Sequence, residues 1–245
     1  KIFFTCNWQN NISLRTRLIK NTPKNLGIWK NIYCNNNINN FDYLIVFDDL
    51  HKNLLKLGID KFNKIIKNNY NKIIFFRIEN SCIYNNFKKS WFTKNILPKL
   101  KHNYSYENNL LYPFTDANFL NKTYDELKNL KYTKKNKNIS TIVSTKELYK
   151  TYKQRKKFII DYSNKYPNSI DIFGRGWNKN ILGRNYKGEL GSYHQNNDKT
   201  TSKYDGLIDY NYSICLDNFP DDKCVCEKIM DSILCWTMPI YSGNK

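Results

Sequence analysis

The features that this sequence lacks narrow its class. Acidic residues are scarce: 21 Asp and Glu face 40 Lys and Arg, for a net charge of +19. No apolar run is long enough to span a membrane, and no signal-peptide pattern opens the chain. The chain also has no initiator Met. The sequence is therefore compatible with a removed leader or anchor, and with membrane association through it.

Patterns of metal-binding and disulfide-forming residues are also missing. No two cysteines form a CxxC motif, and the three histidines are far apart. Neither a zinc site nor a disulfide framework is indicated, and we predict free thiols in the cytoplasm or another reducing compartment. The seven cysteines are Cys6, Cys34, Cys82, Cys215, Cys224, Cys226 and Cys235.

The excess of positive charge favours polyanionic partners. A nucleic-acid-binding protein concentrates its basic residues on one element with interleaved aromatic residues, whereas here they are spread over most of the chain. We interpret the local clusters at 131–137 and 153–157 as solvated surface and expect no specific nucleic-acid partner. A non-catalytic nucleic-acid or polyanion-binding protein remains the alternative from another functional class.

The order of strand and helix patterns predicts the architecture. Strands alternate with amphipathic helices, which favours parallel, doubly wound sheets, and the pattern restarts after the polar segment 131–138. We predict an α/β fold with two Rossmann-like domains, 1–130 and 131–245, facing a cleft, the second continuing beyond Lys245. The predicted strands are 1–6, 27–34, 41–47, 72–78, 139–143, 169–173, 212–216 and 238–241; the predicted helices are 12–19, 54–66, 146–166, 204–209 and 225–234, and 91–121 is predicted to be rich in loops.

Three strand ends in the second half carry groups suited to phosphate. Ser144 follows one strand, Gly174 to Lys179 follow the next, and Glu227-Lys228 open a helix. Glycines allow close backbone approach, Arg175 and Lys179 can neutralise an anion, and a helix N-terminus offers unpaired N–H groups. Together these groups predict a diphosphate site that requires no metal ion and no further cofactor. Each has a simpler interpretation alone, since GxG often marks a tight turn.

The stretch 212–243 resembles the signature of the α1,3-fucosyltransferases of glycosyltransferase family 10. That family has F-E-N after a strand, then Y-V-T-E-K, a helix and A-G-x-V-P-I-Y-x-G. This chain has Leu216-Asp217-Asn218, Cys224-Val225-Cys226-Glu227-Lys228 and Cys235-Trp236-Thr237-Met238-Pro239-Ile240-Tyr241-Ser242-Gly243. The likeness covers roughly 139–243 and implies a GT-B-type fold and an inverting, metal-independent transfer from GDP-fucose.

The resemblance also implies roles for individual residues in the donor domain. Glu227 would bind the ribose of a GDP-sugar, and Lys228 its diphosphate. Arg175 or Lys179 would be the second phosphate cation, with Lys179 slightly favoured. Ser144 and Asn218 complete the predicted donor site. Trp236 replaces the glycine of the signature, at a position expected beside the donor pocket.

In the first half, the resemblance rests on Phe75-Phe76-Arg77-Ile78-Glu79-Asn80. It implies that Glu79 is the general base and that 1–130 lies on the side of the acceptor, a glycan or glycoprotein. Without the resemblance, Glu79 is more simply an exposed loop carboxylate. Asp48 and Asp49 end a neighbouring strand and are rival candidates for the base. A different nucleotide sugar on the same fold is the alternative within enzymes.

Overall fold

The computed structural model describes residues 1–79, 88–105, 117–191, 201–217 and 226–242. The chain divides into two compact units. The first comprises Lys1–Tyr112 with Thr123–Asp125, and the second comprises Pro113–Lys122 with Glu126–Lys245.

The first unit is built on a six-stranded sheet in the order β2-β3-β1-β4-β5-β6. All neighbouring strands are parallel except β2 and β3. The strands are β1 (Ile2–Cys6), β2 (Ile28–Trp29), β3 (Ile32–Asn35), β4 (Tyr43–Phe47), β5 (Ile73–Arg77) and β6 (His102–Ser105). The helices are α1 (Asn11–Ile19), α2 (Lys52–Leu55), α3 (Gly58–Ile65) and α4 (Trp91–Asn95), followed by α5 (Tyr124–Lys128), which straddles the division between the units.

The core of the first unit is aromatic and aliphatic. Phe62 on α3 contacts Phe92 on α4 edge to face, and both rings are fully buried with Phe75 of β5. The strands carry near-continuous apolar runs because both faces of a parallel sheet are covered. Register pairs Cys6 with Phe47 and Phe47 with Phe76, so β1, β4 and β5 end side by side at one edge.

The second unit has a five-stranded, fully parallel sheet in the order β11-β10-β7-β8-β9. In order along the chain its strands therefore lie 5-4-1-2-3, which is the Rossmann arrangement read from the other edge. The strands are β7 (Lys137–Ile142), β8 (Asp171–Phe173), β9 (Tyr186–Gly188), β10 (Tyr210–Leu216) and β11 (Met238–Ser242), and the helices are α6 (Lys150–Lys165), α7 (Lys179–Leu182) and α8 (Glu227–Leu234). Short 3-10 helices occur at Pro23–Asn25, Tyr70–Lys72, Leu97–Lys99, Ala117–Leu120 and Gly183–Asn185.

The predicted α/β class with two predominantly parallel sheets is confirmed. The predicted strand 27–34 is wrong in detail, because Lys30 adopts a φ of 54° and reverses the chain between β2 and β3. The predicted helix 54–66 is divided into α2 and α3 at Gly58, whose φ is 74°. The predicted helix 204–209 forms turns instead.

The loop-rich prediction for 91–121 missed α4 and β6. Strand β9 was not predicted either, because three residues are too few to show the alternation of apolar and polar side chains that marks a strand. In the basic segment 131–138, Lys135 is buried and its Nζ donates to the Cys235 carbonyl at 2.8 Å. That lysine satisfies backbone just after α8 and is more than solvated surface.

Within the described ranges, no helix is long and apolar enough to cross a membrane. Cysteines 6, 34, 215, 226 and 235 are free thiols; the other two fall outside those ranges.

Candidate functional site

The strand order of the second unit places a crevice between β7 and β10. The connection after β7 leads to β8 on one side, and the connection after β10 leads to β11 on the other. In open parallel sheets such a switch point leaves room for a ligand beyond the carboxyl ends of the strands. Here those ends are Ile142 and Leu216, followed by Val143-Ser144 and Asp217.

Helix α8 begins at this same edge. Cys226 is its N-cap, with extended backbone angles and no side-chain bond to the helix amides. Because the first amides of a helix lack partners within the helix, the N-terminus of α8 can receive an anion. Glu227 and Lys228, two of the predicted donor-binding residues, are its first two residues.

A lysine that the sequence did not reveal organises this end of α8. Lys203 Nζ lies 2.7 Å from Asp231 Oδ2 and 3.2 Å from Glu227 Oε1. It also lies 4.6 Å from the centre of the Phe119 ring. The Asp231 side chain is 2% exposed, so its charge depends on this partner. Lys203 therefore holds Glu227 and Asp231, one turn apart on α8, in a fixed arrangement.

Lys228 is held less closely by neighbouring carboxylates than Lys203 is. Its Nζ lies 3.5 Å from Glu227 Oε1, longer than either contact of Lys203. Because Lys203 already compensates Glu227 and Asp231, the Lys228 charge is the one at this helix start most readily directed to an outside anion.

Arg155 on α6 is a second cation at this site that sequence reasoning missed. It is 6% exposed and stacks on Tyr152, with its guanidinium carbon 4.6 Å from the ring centre. Burial lowers its pKa, while the negative charges of Asp217 and Glu227 act in the opposite direction. A sequence signal existed: Tyr152, Arg155 and Ile159 share one face of α6, and a charge on a buried face is uncommon.

The acidic and basic side chains at the start of α8 strongly shift one another's pKa. Burial alone would raise the pKa of Glu227, but Lys228 and Lys203 lower it well below its usual range. Burial alone would lower the pKa of Lys228, but Glu227, Cys226 and Asp217 raise it. Both side chains therefore carry full charge at neutral pH. A cation held charged near a helix N-terminus suits the binding of a phosphate.

The loop after β8 packs closely against the residues that follow β7. Gly174 has a φ of 143°, and a Cβ there would lie 1.9 Å from the Val143 carbonyl oxygen. A Cβ on Gly176 would lie 2.1 Å from Thr145 Oγ1. The Thr145 amide donates to the Arg175 carbonyl at 3.1 Å, and the Trp177 indole N–H donates to the Val143 carbonyl at 2.7 Å. These glycines are required by packing between two strand exits.

The remaining predicted donor residues lie along the same edge. Ser144 and Arg175 are half-buried, and Lys179 is exposed at the start of α7. Within the described part of the chain neither Arg175 nor Lys179 forms an ion pair, so the choice of second phosphate cation stays open. Asn218 lies outside the described residues.

The predicted base lies in the first unit. Glu79 is half-buried just after β5, and its backbone amide donates to Asp48 Oδ1 at 2.9 Å. The rival carboxylates are inaccessible, since Asp48 is 0% exposed and Asp49 is 2% exposed. A group that receives a proton from a bound hydroxyl must come within hydrogen-bonding reach of it. Among these three residues, Glu79 is the one with accessible surface.

Trp236 lies away from the N-terminus of α8. Helix α8 starts at the carboxyl edge of the sheet and returns the chain to the opposite edge, where Met238 pairs with Tyr212 near the start of β10. Trp236 lies at that opposite edge, with its Nε1 donating to the Leu130 carbonyl at 3.1 Å. Its φ of 56° explains why glycine would suit the position.

The cavity under α8 does not accommodate a nucleotide. It measures about 30 Å³ and lies between Ile142, Ser213 and the inner face of α8. This is room for a few water molecules and is too small for a nucleotide. In the described ranges, no group of three or more His, Cys, Asp or Glu side chains could hold a metal ion. A nucleotide at this edge would lie above the sheet, against the helix N-terminus and the neighbouring loops.

Comparison with known proteins does not assign this chain to a family. No protein-family model and no curated protein matches the sequence. A crystal structure described as an α1,3-fucosyltransferase is similar, with a TM-score of 0.37 and 16% identity over 99% of this chain and 69% of that chain.

Proposed function

We propose that this chain is an inverting glycosyltransferase of the GT-B type, using a GDP-sugar, most simply GDP-fucose, and a glycan or glycoprotein acceptor. The observation that carries the proposal is the arrangement of Glu227 and Lys228 on the first turn of α8. Lys203 fixes Glu227, Lys228 lies beside Glu227, and both residues lie at the switch point of a Rossmann-ordered sheet. Such a position is where nucleotides bind in this class of sheet.

The donor roles follow from the charges of these groups. The Lys228 ammonium and the N-terminal amides of α8 would bind the diphosphate, and the Glu227 carboxylate would accept hydrogen bonds from the ribose hydroxyls. Arg155 supplies a further positive charge, as would Arg175 or Lys179 from the β8 exit. These cations stabilise the negative charge that develops on the diphosphate as it leaves, so the proposed reaction requires no metal ion.

The transfer itself is a single displacement. The acceptor oxygen attacks the anomeric carbon from the face opposite GDP, and the new C–O bond forms as the bond to the β-phosphate oxygen breaks. GDP departs with that electron pair, and the acceptor proton passes to the Glu79 carboxylate. Attack from the opposite face inverts the anomeric centre.

The direct test is turnover of GDP-fucose with a panel of oligosaccharide acceptors, measured as GDP release and as product mass. Glu79→Gln should reduce turnover by at least about 100-fold, the scale of general base catalysis, with the affinity for GDP unchanged within two-fold. Turnover of the variant equal to that of the wild type would remove Glu79 as the base. Loss of activity with a chelator would contradict metal independence, and turnover of UDP- or ADP-sugars alone would reassign the donor.

A further inference from the structure

Asp48 has an unusual position beside the proposed base. It follows β4 with a φ of 60°, and its side chain is fully buried. Its Oδ1 accepts hydrogen bonds from the backbone amides of Ile78 at 2.7 Å and Glu79 at 2.9 Å. Its own amide donates to the Phe76 carbonyl at 2.9 Å. One residue therefore anchors the chain on both sides of Arg77, where β5 ends.

These bonds determine where Glu79 leaves the sheet. Strand β5 ends at Arg77, so the next two amides have no strand partner on the β4 side. The Asp48 carboxyl group takes the place of the missing strand. The left-handed backbone of Asp48 is unfavourable in a non-glycine residue, and the two bonds offset that cost.

The groups facing Asp48 come from two neighbouring strands. Glu79 and Arg77 face it from β5 and the residues after it, and the Cys6 thiol faces it from the end of β1. Burial raises the pKa of Asp48 to about 7, the charge of Glu79 adds to this, and Arg77 and the two backbone bonds act in the opposite direction. Within the described residues the second oxygen, Oδ2, is buried and has no hydrogen-bond partner. It is the atom that would carry the proton.

We propose that Asp48 is a positioning residue that fixes the backbone of Glu79 and, by changing its own charge, modulates the base. The inference rests on the proposed function for the role of Glu79, but the positioning contact stands independently. Asp48 does not touch substrate, because no surface of its side chain is exposed.

Three variants distinguish the hydrogen-bonding role of Asp48 from the effect of its charge. Asp48→Asn keeps an oxygen acceptor but cannot ionise. Asp48→Ala removes both bonds. Asp49→Asn is the matched control, since Asp49 is also buried but accepts from the Leu50 amide at 2.7 Å. Circular dichroism of each variant establishes that it is folded.

Amide hydrogen exchange, read by NMR, tests the contact without any assumption about activity. Exchange at the Glu79 amide should be at least ten-fold faster in Asp48→Ala than in the wild type, and nearly unchanged in Asp48→Asn and Asp49→Asn. Equal exchange in Asp48→Ala and Asp49→Asn would overturn the positioning role. If Asp48→Ala does not fold, the wild type decides the question: the Ile78 and Glu79 amides should exchange at least ten-fold more slowly than their intrinsic rates, and unprotected amides at both positions would overturn the positioning role.

Turnover of GDP-fucose tests the link to the base. In Asp48→Ala, kcat should fall about 10- to 100-fold with the donor KM within two-fold, because a small displacement of a catalytic group has effects of that size. The wild-type pH profile of kcat should contain an inflection near 7 that Asp48→Asn lacks. An unchanged profile would overturn the modulation. A wild type without turnover would refute the proposed function, while the exchange data would still decide the positioning contact.

Discussion

The Lys203 ammonium lies 3.2 Å from the Glu227 carboxylate and 2.7 Å from Asp231, and so joins the segment before β10 to the first turn of α8. Burial would lower the pKa of Lys203, but Glu227 and Asp231 raise it, so the lysine stays charged. The ion pair fixes the carboxylate assigned to the ribose.

Removing this lysine should destabilise the fold. Lys203→Met removes the ammonium that lies 2.7 Å from the buried Asp231 carboxylate, and we expect a loss of about 3 kcal/mol in the free energy of unfolding, measured with urea. Lys203→Arg should lose much less, since it keeps the charge. The double variant Lys203→Met with Asp231→Asn should recover most of the loss. If the single and double variants were equally unstable, the Lys203–Asp231 pair would not be the cause.

Gly174 and Gly183 should differ in how strongly an alanine substitution destabilises the fold. Gly174→Ala would place a methyl group 1.9 Å from the Val143 carbonyl oxygen, whereas a Cβ on Gly183, with a φ of 56°, meets nothing within 4 Å. Gly183 has a ψ of −134°, so alanine there costs about 1–3 kcal/mol in backbone strain alone, and we expect Gly174→Ala to reduce the free energy of unfolding by at least about 2 kcal/mol more. Equal losses would show that backbone angle alone governs both positions.

Asp48 should make stability depend on pH. Its folded pKa of about 7 lies above the ordinary 3.8, so the folded protein binds the proton more tightly than the unfolded chain. Its contribution to stability is therefore fully present below pH 4 and is lost as the pH rises to about 7. Since one pKa unit corresponds to about 1.4 kcal/mol, the loss is on the order of 4 kcal/mol.

The measurement is urea unfolding of the wild type and Asp48→Asn between pH 5 and 8. The variant should gain stability relative to the wild type as the pH rises across that interval. A difference that does not change with pH would mean that Asp48 titrates normally.

Trp236 is predicted to make no contribution to GDP binding. Its position at the opposite edge of the sheet from Glu227 means that Trp236→Gly should leave the affinity for GDP within two-fold of the wild type. The Trp236 contacts with the Leu130 carbonyl and the Tyr132 ring would be lost. A ten-fold change in GDP affinity, measured by calorimetry, would place Trp236 at the pocket after all.

Much of the fold was predictable because apolar runs mark buried parallel strands. The runs ending at Cys6, Phe47 and Leu216 each fall on an observed strand. The hairpin of β2 and β3 was not predictable, since it depends on a left-handed Lys30, a residue type with no preference for that conformation.

The candidate site was predictable only where its residues are adjacent along the chain. Glu227 and Lys228 could be recognised from the strand, turn and helix around them. Arg155 left a weaker signal, a charge on the buried face of a helix. Lys203 left none, because its role comes from Asp231, a contact formed only by tertiary folding.

In the proposed function, the N-terminus of α8 binds the diphosphate of a guanine nucleotide through Lys228. Calorimetric titration of the wild type and Lys228→Met with GDP, guanosine, UDP and a short oligonucleotide tests it most directly. We predict that the wild type binds GDP in preference to UDP, and that Lys228→Met weakens GDP binding at least ten-fold, with guanosine affinity unchanged. Strong oligonucleotide binding without any nucleotide binding would rule out this donor site and favour a polyanion-binding protein.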